Sequence, residues 1–325
     1  MQRIVHRQRA TNGVVIHPLD PEDGEITRAA RITAKPMKGK LRGTEARRPF
    51  DAIMEGVAPS DGVSYEPGVV GGVPGWWVHP VRRMSRVAVL HLHGGWFNLG
   101  TAHAFRHLVG HIASRAAASA FIPDYRLAPE HPFPAATDDV LAAYRGLEAL
   151  GMHRIAVTGD SAGGNLALGL ATRLSAGPGM VSATLVAVTA LSPVTDLTLS
   201  GETYVTRADA EPYFTRAQAE ELVRAYLGSA DPLHPLASPL RGSLAGLPPV
   251  RIHVGDDEVL LDDSRRFVDR ASAAGVDARL DVWMGMAHGF AGNVGQLKAA
   301  SRALDAVGAF LLGQLQEEAD RHAGE

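Results

Sequence analysis

The 325-residue chain contains no cysteine. Disulfides, thiolate metal sites and a cysteine nucleophile are thereby excluded, and a reducing compartment, the cytoplasm, is the expected location. It also lacks a charge excess. The formal net charge is −3, so nothing favours nucleic acid or an anionic membrane as a partner. No apolar run is long enough to span a bilayer. The longest, MVSATLVAVTALSPV from Met180, is short and rich in Ser and Thr, and it reads as a buried strand. The opening MQRIVHRQRATNG carries charge without an apolar core behind it, so neither a secretory signal nor a membrane anchor is expected there.

What is present is apolar mass: 46% hydrophobic against 21% charged residues, enough for a large core. Residues 1–60 are polar without a sustained period and read as a flexible or helical appendage. Two β-prone runs between Val63 and Val81 flank a Gly-Gly pair and predict a hairpin at a sheet edge. Thereafter RVAVLHLH, SAFIPDYR, RIAVTG, ATLVAVTAL, VRIHVG and ARLDVWMG are strand candidates, several apolar enough to be buried on both faces. Helical periodicity at 135–150, 161–174, 261–274 and 294–315 separates most of them. This alternation predicts an α/β fold with a mostly parallel central sheet and helices on both faces. Polar and aromatic residues at 197–230 interrupt the rhythm, as an insertion over the carboxyl ends of the strands, where such sheets bind ligands. The expected organisation is an α/β core at 61–196 and 231–325, with an appendage at 1–60 and an insertion at 197–230.

Gly159-Asp160-Ser161-Ala162-Gly163 falls between a strand and a helix, the context of a nucleophile elbow, in which a tight turn exposes a serine to attack a carbonyl. The plainer alternative is a serine that caps a helix. A nucleophilic serine needs a base, an acid that orients it, and oxyanion donors. In this chain order the acid and base follow the serine. The turn after VRIHVG offers Asp256, Asp257, Glu258, Asp262 and Asp263, and His288 follows the last strand. The turn after VAVLHLH offers the backbone amides of Gly94, Gly95 and Trp96, which Ala162 N–H would complete as an oxyanion hole.

Seven segments carry a resemblance: HGGW at His93, DYRLAPEHPFPAA at Asp124, GDSAGGN at Gly159, SPVTDLT at Ser192, PLASPL at Pro235, GLPPVRIHVGDDEVLLDDS at Gly246 and AHGF at Ala287. In this order they resemble the bacterial hormone-sensitive-lipase-like esterases, an α/β-hydrolase group. The segment from Gly246 is most similar to its esterase and monoterpene ε-lactone hydrolase subgroup. The resemblance implies Ser161 as nucleophile and His288 as base. It puts Glu258 in the place of the acid, with Asp257 as the alternative; Asp262 and Asp263 serve the start of the next helix. Asp160, Tyr125 and Arg126 would brace the oxyanion loop. Trp96 stands where the family usually has a third glycine, an indole that narrows the alcohol side and brings tertiary-alcohol esters into question. In the resemblance 1–60 and 197–230 form a cap over a catalytic core at 61–196 and 231–325, with Tyr204, Tyr213 and Phe214 as cap aromatics that either line the site or pack against their neighbours.

The implied activity is hydrolysis of short- to medium-chain carboxylic esters, or of lactones, through an acyl-serine, with no cofactor and no metal. The expected partner is the small-molecule substrate, and a homodimer is the one assembly entertained. Two rivals stand beside this. His103, His107 and His111 recur at helical spacing, with His91 and His93 nearby, as a zinc hydrolase would need. A pocket without chemistry, on the same scaffold, is the second.

Overall fold

The computed structural model describes residues 13–177 and 183–316. The first residues of the opening segment, and Met180 with Val181, lie outside them. Among the described residues nine strands are formed: β1 (Val14–His17), β2 (Val63–Val70), β3 (Val73–Pro80), β4 (Val87–Leu92), β5 (Ser119–Pro123), β6 (Arg154–Asp160), β7 (Thr184–Leu191), β8 (Val250–Gly255) and β9 (Ala278–Trp283). They make one sheet in the order β1-β9-β8-β7-β6-β4-β5-β3-β2. From β1 to β5 every neighbouring pair is parallel, and only β3 and β2 run antiparallel to their neighbours. The helices are α1 (Pro21–Ala34), α2 (Arg47–Glu55), α3 (Ala102–Ala116), α4 (Ala135–Ala149), α5 (Ala162–Ala176), α6 (Thr203–Thr206), α7 (Arg216–Leu227), α8 (Leu261–Ala273) and α9 (Lys298–Gln316).

The period of two along the strands divides the core. On β4, Ala88, Leu90 and Leu92 enter one apolar layer with α4, α5 and α8, whereas Val87 and Val89 enter the other with α3 and α9. With both faces covered, β4 is buried at every residue, which is why its sequence is continuously apolar. The expected hairpin is β2–β3. Its two-residue turn places Gly71 and Gly72 at φ +62° and +80°, and a Cβ on Gly71 would run into the Ala142 carbonyl of α4.

Two features depart from the expectation. The N-terminal segment does more than cap: β1 pairs in parallel with β9 and extends the sheet, and the His17 ring stacks on Trp283 at 3.8 Å. Four residues of strand are too short for a periodic signal. The last helix starts at Lys298 rather than 294, because buried Asp23 of α1 accepts the Lys298 and Ala299 N–H groups at 2.9 and 2.8 Å and so caps α9 from another segment. Among the described residues no helix is long and apolar enough to cross a membrane.

Candidate active site

Ser161 stands between β6 and α5 with φ +54° and ψ −117°, a backbone region that a side-chain-bearing residue occupies only when its surroundings enforce it. The enforcement is visible. Ser161 N–H donates to the Leu191 carbonyl at 2.8 Å, and the Ser161 carbonyl accepts from Val194 N–H at 3.3 Å. A Cβ on Gly163 would strike the Leu92 carbonyl, and one on Gly159 the Gly163 carbonyl, so the flanking glycines let β4, β6 and α5 meet around the serine. The serine lines a cavity of about 450 Å³, together with His288, Gly95 and Trp96. The α5 N-terminus begins at Ala162, and its first amides and positive dipole end favour negative charge there.

The carboxyl in contact with His288 is that of Glu258. Glu258, fully buried, accepts from Gly255 N–H at 2.6 Å and Ser192 hydroxyl at 2.7 Å on Oε1, and its Oε2 lies 2.8 Å from His288 Nδ1. Asp257 instead forms an ion pair with Arg31 of α1. Asp256 Oδ1 accepts from Gly285 N–H at 2.5 Å and so steadies the loop that carries the histidine. Asp262 and Asp263 fall in the first turn of α8, as expected. Asp263 also accepts from Thr195 and Asp196 N–H, at 2.7 and 3.0 Å. Burial opposes the His288 imidazolium, but the Glu258 hydrogen bond and the charges of Glu258, Glu211 and Asp160 outweigh it, holding its pKa above the ordinary histidine value.

The oxyanion loop needs one correction. Gly94 N–H donates to Asp160 Oδ1 at 3.0 Å, and Gly94 is not among the cavity's lining residues. Its amide is committed to bracing, which leaves Gly95, Trp96 and Ala162 as the candidate donors. Gly95 and Trp96 have φ of +115° and +53°, so the chain turns sharply as it passes the cavity. Tyr125 supports this loop as expected, donating to the His93 carbonyl at 2.7 Å and stacking on the His93 ring at 4.3 Å. Arg126 does not: its guanidinium pairs with Asp139, at 2.7 Å, and ties the end of β5 to α4.

The Trp96 indole is buried and packs edge-on to Phe214 at 5.5 Å, and Phe214 lies edge-on to His288 at 4.9 Å. Aromatic contacts thus link the turn after β4, the 197–230 segment and His288. Tyr213 and Phe214 line the cavity, but Tyr204 does not; it is buried beneath Arg216, whose guanidinium lies 5.9 Å from the ring centre. The opposite wall comes from the N-terminal segment, where α2 contributes Phe50, Ile53 and Met54. The histidine stripe on α3 is spent on holding that wall. His107 Nδ1 is 2.9 Å from the Val57 carbonyl, His111 Nε2 is 2.8 Å from the Ala58 carbonyl, and His103 Nδ1 is 3.2 Å from Glu55. His91 Nδ1 is 2.8 Å from the Thr158 hydroxyl, and His93 Nδ1 is 2.8 Å from the Gly94 carbonyl. Among the described residues no group of three or more His, Asp or Glu side chains converges as a metal site would require.

Three residues of the site escape sequence reasoning. Ser192, at φ +51°, follows β7 and donates to Glu258; it opens the SPVTDLT segment, but nothing in the sequence gives it that role. Gln218 lines the cavity from α7 and donates to the Leu41 carbonyl at 2.5 Å. Glu211 is fully buried in the polar insertion, where nothing in the pattern marks it as interior.

Residues 89–292 match a family described by its alpha/beta hydrolase fold. An acetyl-hydrolase of Streptomyces hygroscopicus is 38% identical over 259 residues, covering 79% of this chain and 83% of the relative. An esterase of Acinetobacter venetianus is 37% identical over 205 residues, covering 62% and 67%. The crystal structure of an esterase from the bacterial hormone-sensitive lipase family superimposes with a TM-score of 0.83 at 36% identity, covering 92% of this chain and all of that one. The elbow, the strand order and these likenesses agree: the chain belongs to the alpha/beta hydrolase fold family, among the esterases of bacterial hormone-sensitive-lipase type.

Proposed function

We propose that this protein is a serine carboxylesterase in which Ser161, His288 and Glu258 form the catalytic triad. The observation that carries the reading is a serine in a strained elbow sharing one cavity with a histidine whose Nδ1 is held by a buried carboxyl. Glu258 fixes the tautomer that leaves Nε2 of His288 free to take the Ser161 proton. The serine oxygen then attacks the ester carbonyl, and the amides of Gly95, Trp96 and Ala162 hold the tetrahedral oxyanion. Collapse expels the alcohol, protonated by His288, and leaves an acyl-serine. Water, deprotonated by the same imidazole, attacks that ester and returns the enzyme.

Small esters of short to medium acyl chain suit a cavity of about 450 Å³ walled by α2 and the insertion. In this reading 13–60 and 197–230 act together as the cap, β1 excepted, while 61–196 and 231–316 carry the chemistry. Lactones of similar size fit the same chemistry, since ring opening forms the same acyl-serine. The cytoplasmic location, supported by the cysteine-free sequence, and a homodimer belong to the proposal as well, tested by fractionation and sedimentation.

The deciding experiment is hydrolysis of p-nitrophenyl esters from acetate to palmitate, with small lactones alongside, by the wild type and Ser161→Ala. Turnover that falls by several orders of magnitude in a folded variant is the expected result. A variant that keeps most of its activity refutes the reading.

A further inference from the structure

Glu211 is a carboxyl with no solvent exposure, in the loop between α6 and α7. Its Oε1 accepts from Tyr213 N–H at 3.0 Å, while its Oε2 has no hydrogen-bond partner among the described residues. The loop is firmly held. Arg31 donates to the Ala210 carbonyl at 2.7 Å, Lys38 donates to the Ala208 carbonyl at 2.5 Å, and Glu211 N–H donates to the Arg207 carbonyl at 2.9 Å. Two and three residues on, Tyr213 and Phe214 line the cavity, and Phe214 is the ring that touches His288.

The groups whose charges act on His288 come from three elements: Glu258 after β8, Asp160 at the end of β6, and Glu211 in the insertion. Those acting on Glu211 are His288, Glu258 and Lys38. We propose that Glu211 is a positioning residue for His288, a second carboxyl, borne by the cap, that favours the imidazolium formed when Ser161 gives up its proton. This rests on the serine esterase reading. Glu258 fixes the Nδ1 tautomer through a hydrogen bond, and Glu211 acts through its field across an interior that screens poorly. No proton passes to Glu211 from substrate: the Ser161 proton goes to His288 Nε2 and then to the leaving alcohol.

A buried carboxyl lacking a full set of partners is costly, and such groups concentrate at functional sites. The cost shows in its pKa, which burial pushes up to about 7. Glu211 therefore gains its charge near neutral pH, and the His288 pKa is held above the ordinary histidine value. Each charge favours the other, so the cap is electrostatically tied to the proton transfer.

The test is the pH dependence of kcat/KM on p-nitrophenyl butyrate for the wild type, Glu211→Gln, Glu211→Asp and Ser161→Ala. Gln keeps an acceptor for Tyr213 N–H and nearly the same volume, but carries no charge. Its acidic limb is expected to move down by about one pH unit, because the imidazolium loses a negative neighbour. The plateau is expected to fall about tenfold. Glu211→Asp, which keeps the charge one methylene further back, is expected to lie between the two. A limb unmoved in both variants, or unmoved in the Asp variant where Gln does not fold, overturns the proposal whatever happens to the rate. Activity surviving in Ser161→Ala defeats the esterase reading and the proposal with it. An unmoved limb beside a silent Ser161→Ala defeats the proposal alone.

Discussion

Asp257 and Glu258 are adjacent in the chain and attached to different parts of the molecule: Asp257 is ion-paired with Arg31 of α1, and Glu258 is bonded to His288 Nδ1 at 2.8 Å. The pair separates two roles that one residue of sequence cannot. Glu258→Gln replaces the carboxylate at His288 Nδ1 with a neutral amide that can turn its NH₂ toward the ring, so the tautomer is no longer fixed; in the proposed triad it is expected to lower kcat by about 10³-fold, with the fold retained. Asp257→Asn loses a partly exposed ion pair, worth about 1 kcal/mol or less, and is expected to keep kcat within about threefold. Steady-state kinetics on both variants checks this; equal losses would show that the acidic turn acts as a unit.

The same turn shows how far the sequence could be read. The residues of that turn leave five acidic candidates and only the resemblance singles out Glu258, whereas the elbow is legible because its two glycines answer a steric demand that holds wherever β4, β6 and α5 cross. Parallel core strands announce themselves through continuous apolar runs. What stays hidden depends on contacts between distant segments. The Gly94 amide looks like an oxyanion donor until Asp160 is seen to occupy it. Asp23 gives no hint of capping a helix that starts 275 residues later. The α3 histidines share a ligand-like spacing, yet their partners are carbonyls and a carboxylate contributed by the polar N-terminal segment. Glu211 is hidden for the same reason, since burial of a charge inside a polar stretch leaves no periodic trace.

In the proposed site Trp96 sets a limit on branching. Its indole is pinned against Phe214 at the edge of the cavity, in place of a residue with no side chain. Because φ at this position is +53°, glycine is conformationally at ease there, and Trp96→Gly is expected to fold. The variant is expected to raise kcat/KM for tert-butyl acetate relative to n-butyl acetate by about tenfold or more, the scale of discrimination a filled apolar pocket exerts. A ratio that does not move would place the steric limit elsewhere, at Phe214 or on α2.

The raised pKa of Glu211 has a stability consequence of definite sign. The carboxyl titrates near 4.5 in the unfolded chain and at about 7 when folded, so between these values the folded state holds the extra proton. Stability from this group is therefore lost as pH rises from about 4.5 to about 7, and the loss is constant above that. Glu211→Gln removes the titration. Denaturant unfolding is expected to find the variant close to wild type at pH 5 and more stable at pH 8, by at most about 3 kcal/mol. A difference independent of pH would mean that the carboxyl titrates normally in the fold.

Arg47 provides a way to loosen the cavity wall without touching the proton path. At the start of α2 it donates to the Asn98 carbonyl at 2.9 Å and the Ala128 carbonyl at 3.0 Å, and it grips Glu130 with both terminal nitrogens, at 2.9 and 2.6 Å. One turn further along, Phe50, Ile53 and Met54 face the cavity. In the proposed reading these residues bound the part of the substrate remote from the scissile carbonyl, so their contacts contribute to binding more than to the chemical step. Arg47→Ala is expected to raise KM for p-nitrophenyl octanoate about tenfold, the equivalent of losing contact with one or two methylenes. Its kcat is expected to stay within about twofold, because Ser161, His288 and Glu258 rest on β6, β8 and the loop after β9. Acetate is the internal control. Its chain is too short to need α2, so a KM for p-nitrophenyl acetate that rises as steeply would show that α2 orders the oxyanion loop itself, through the Asn98 carbonyl that Arg47 holds.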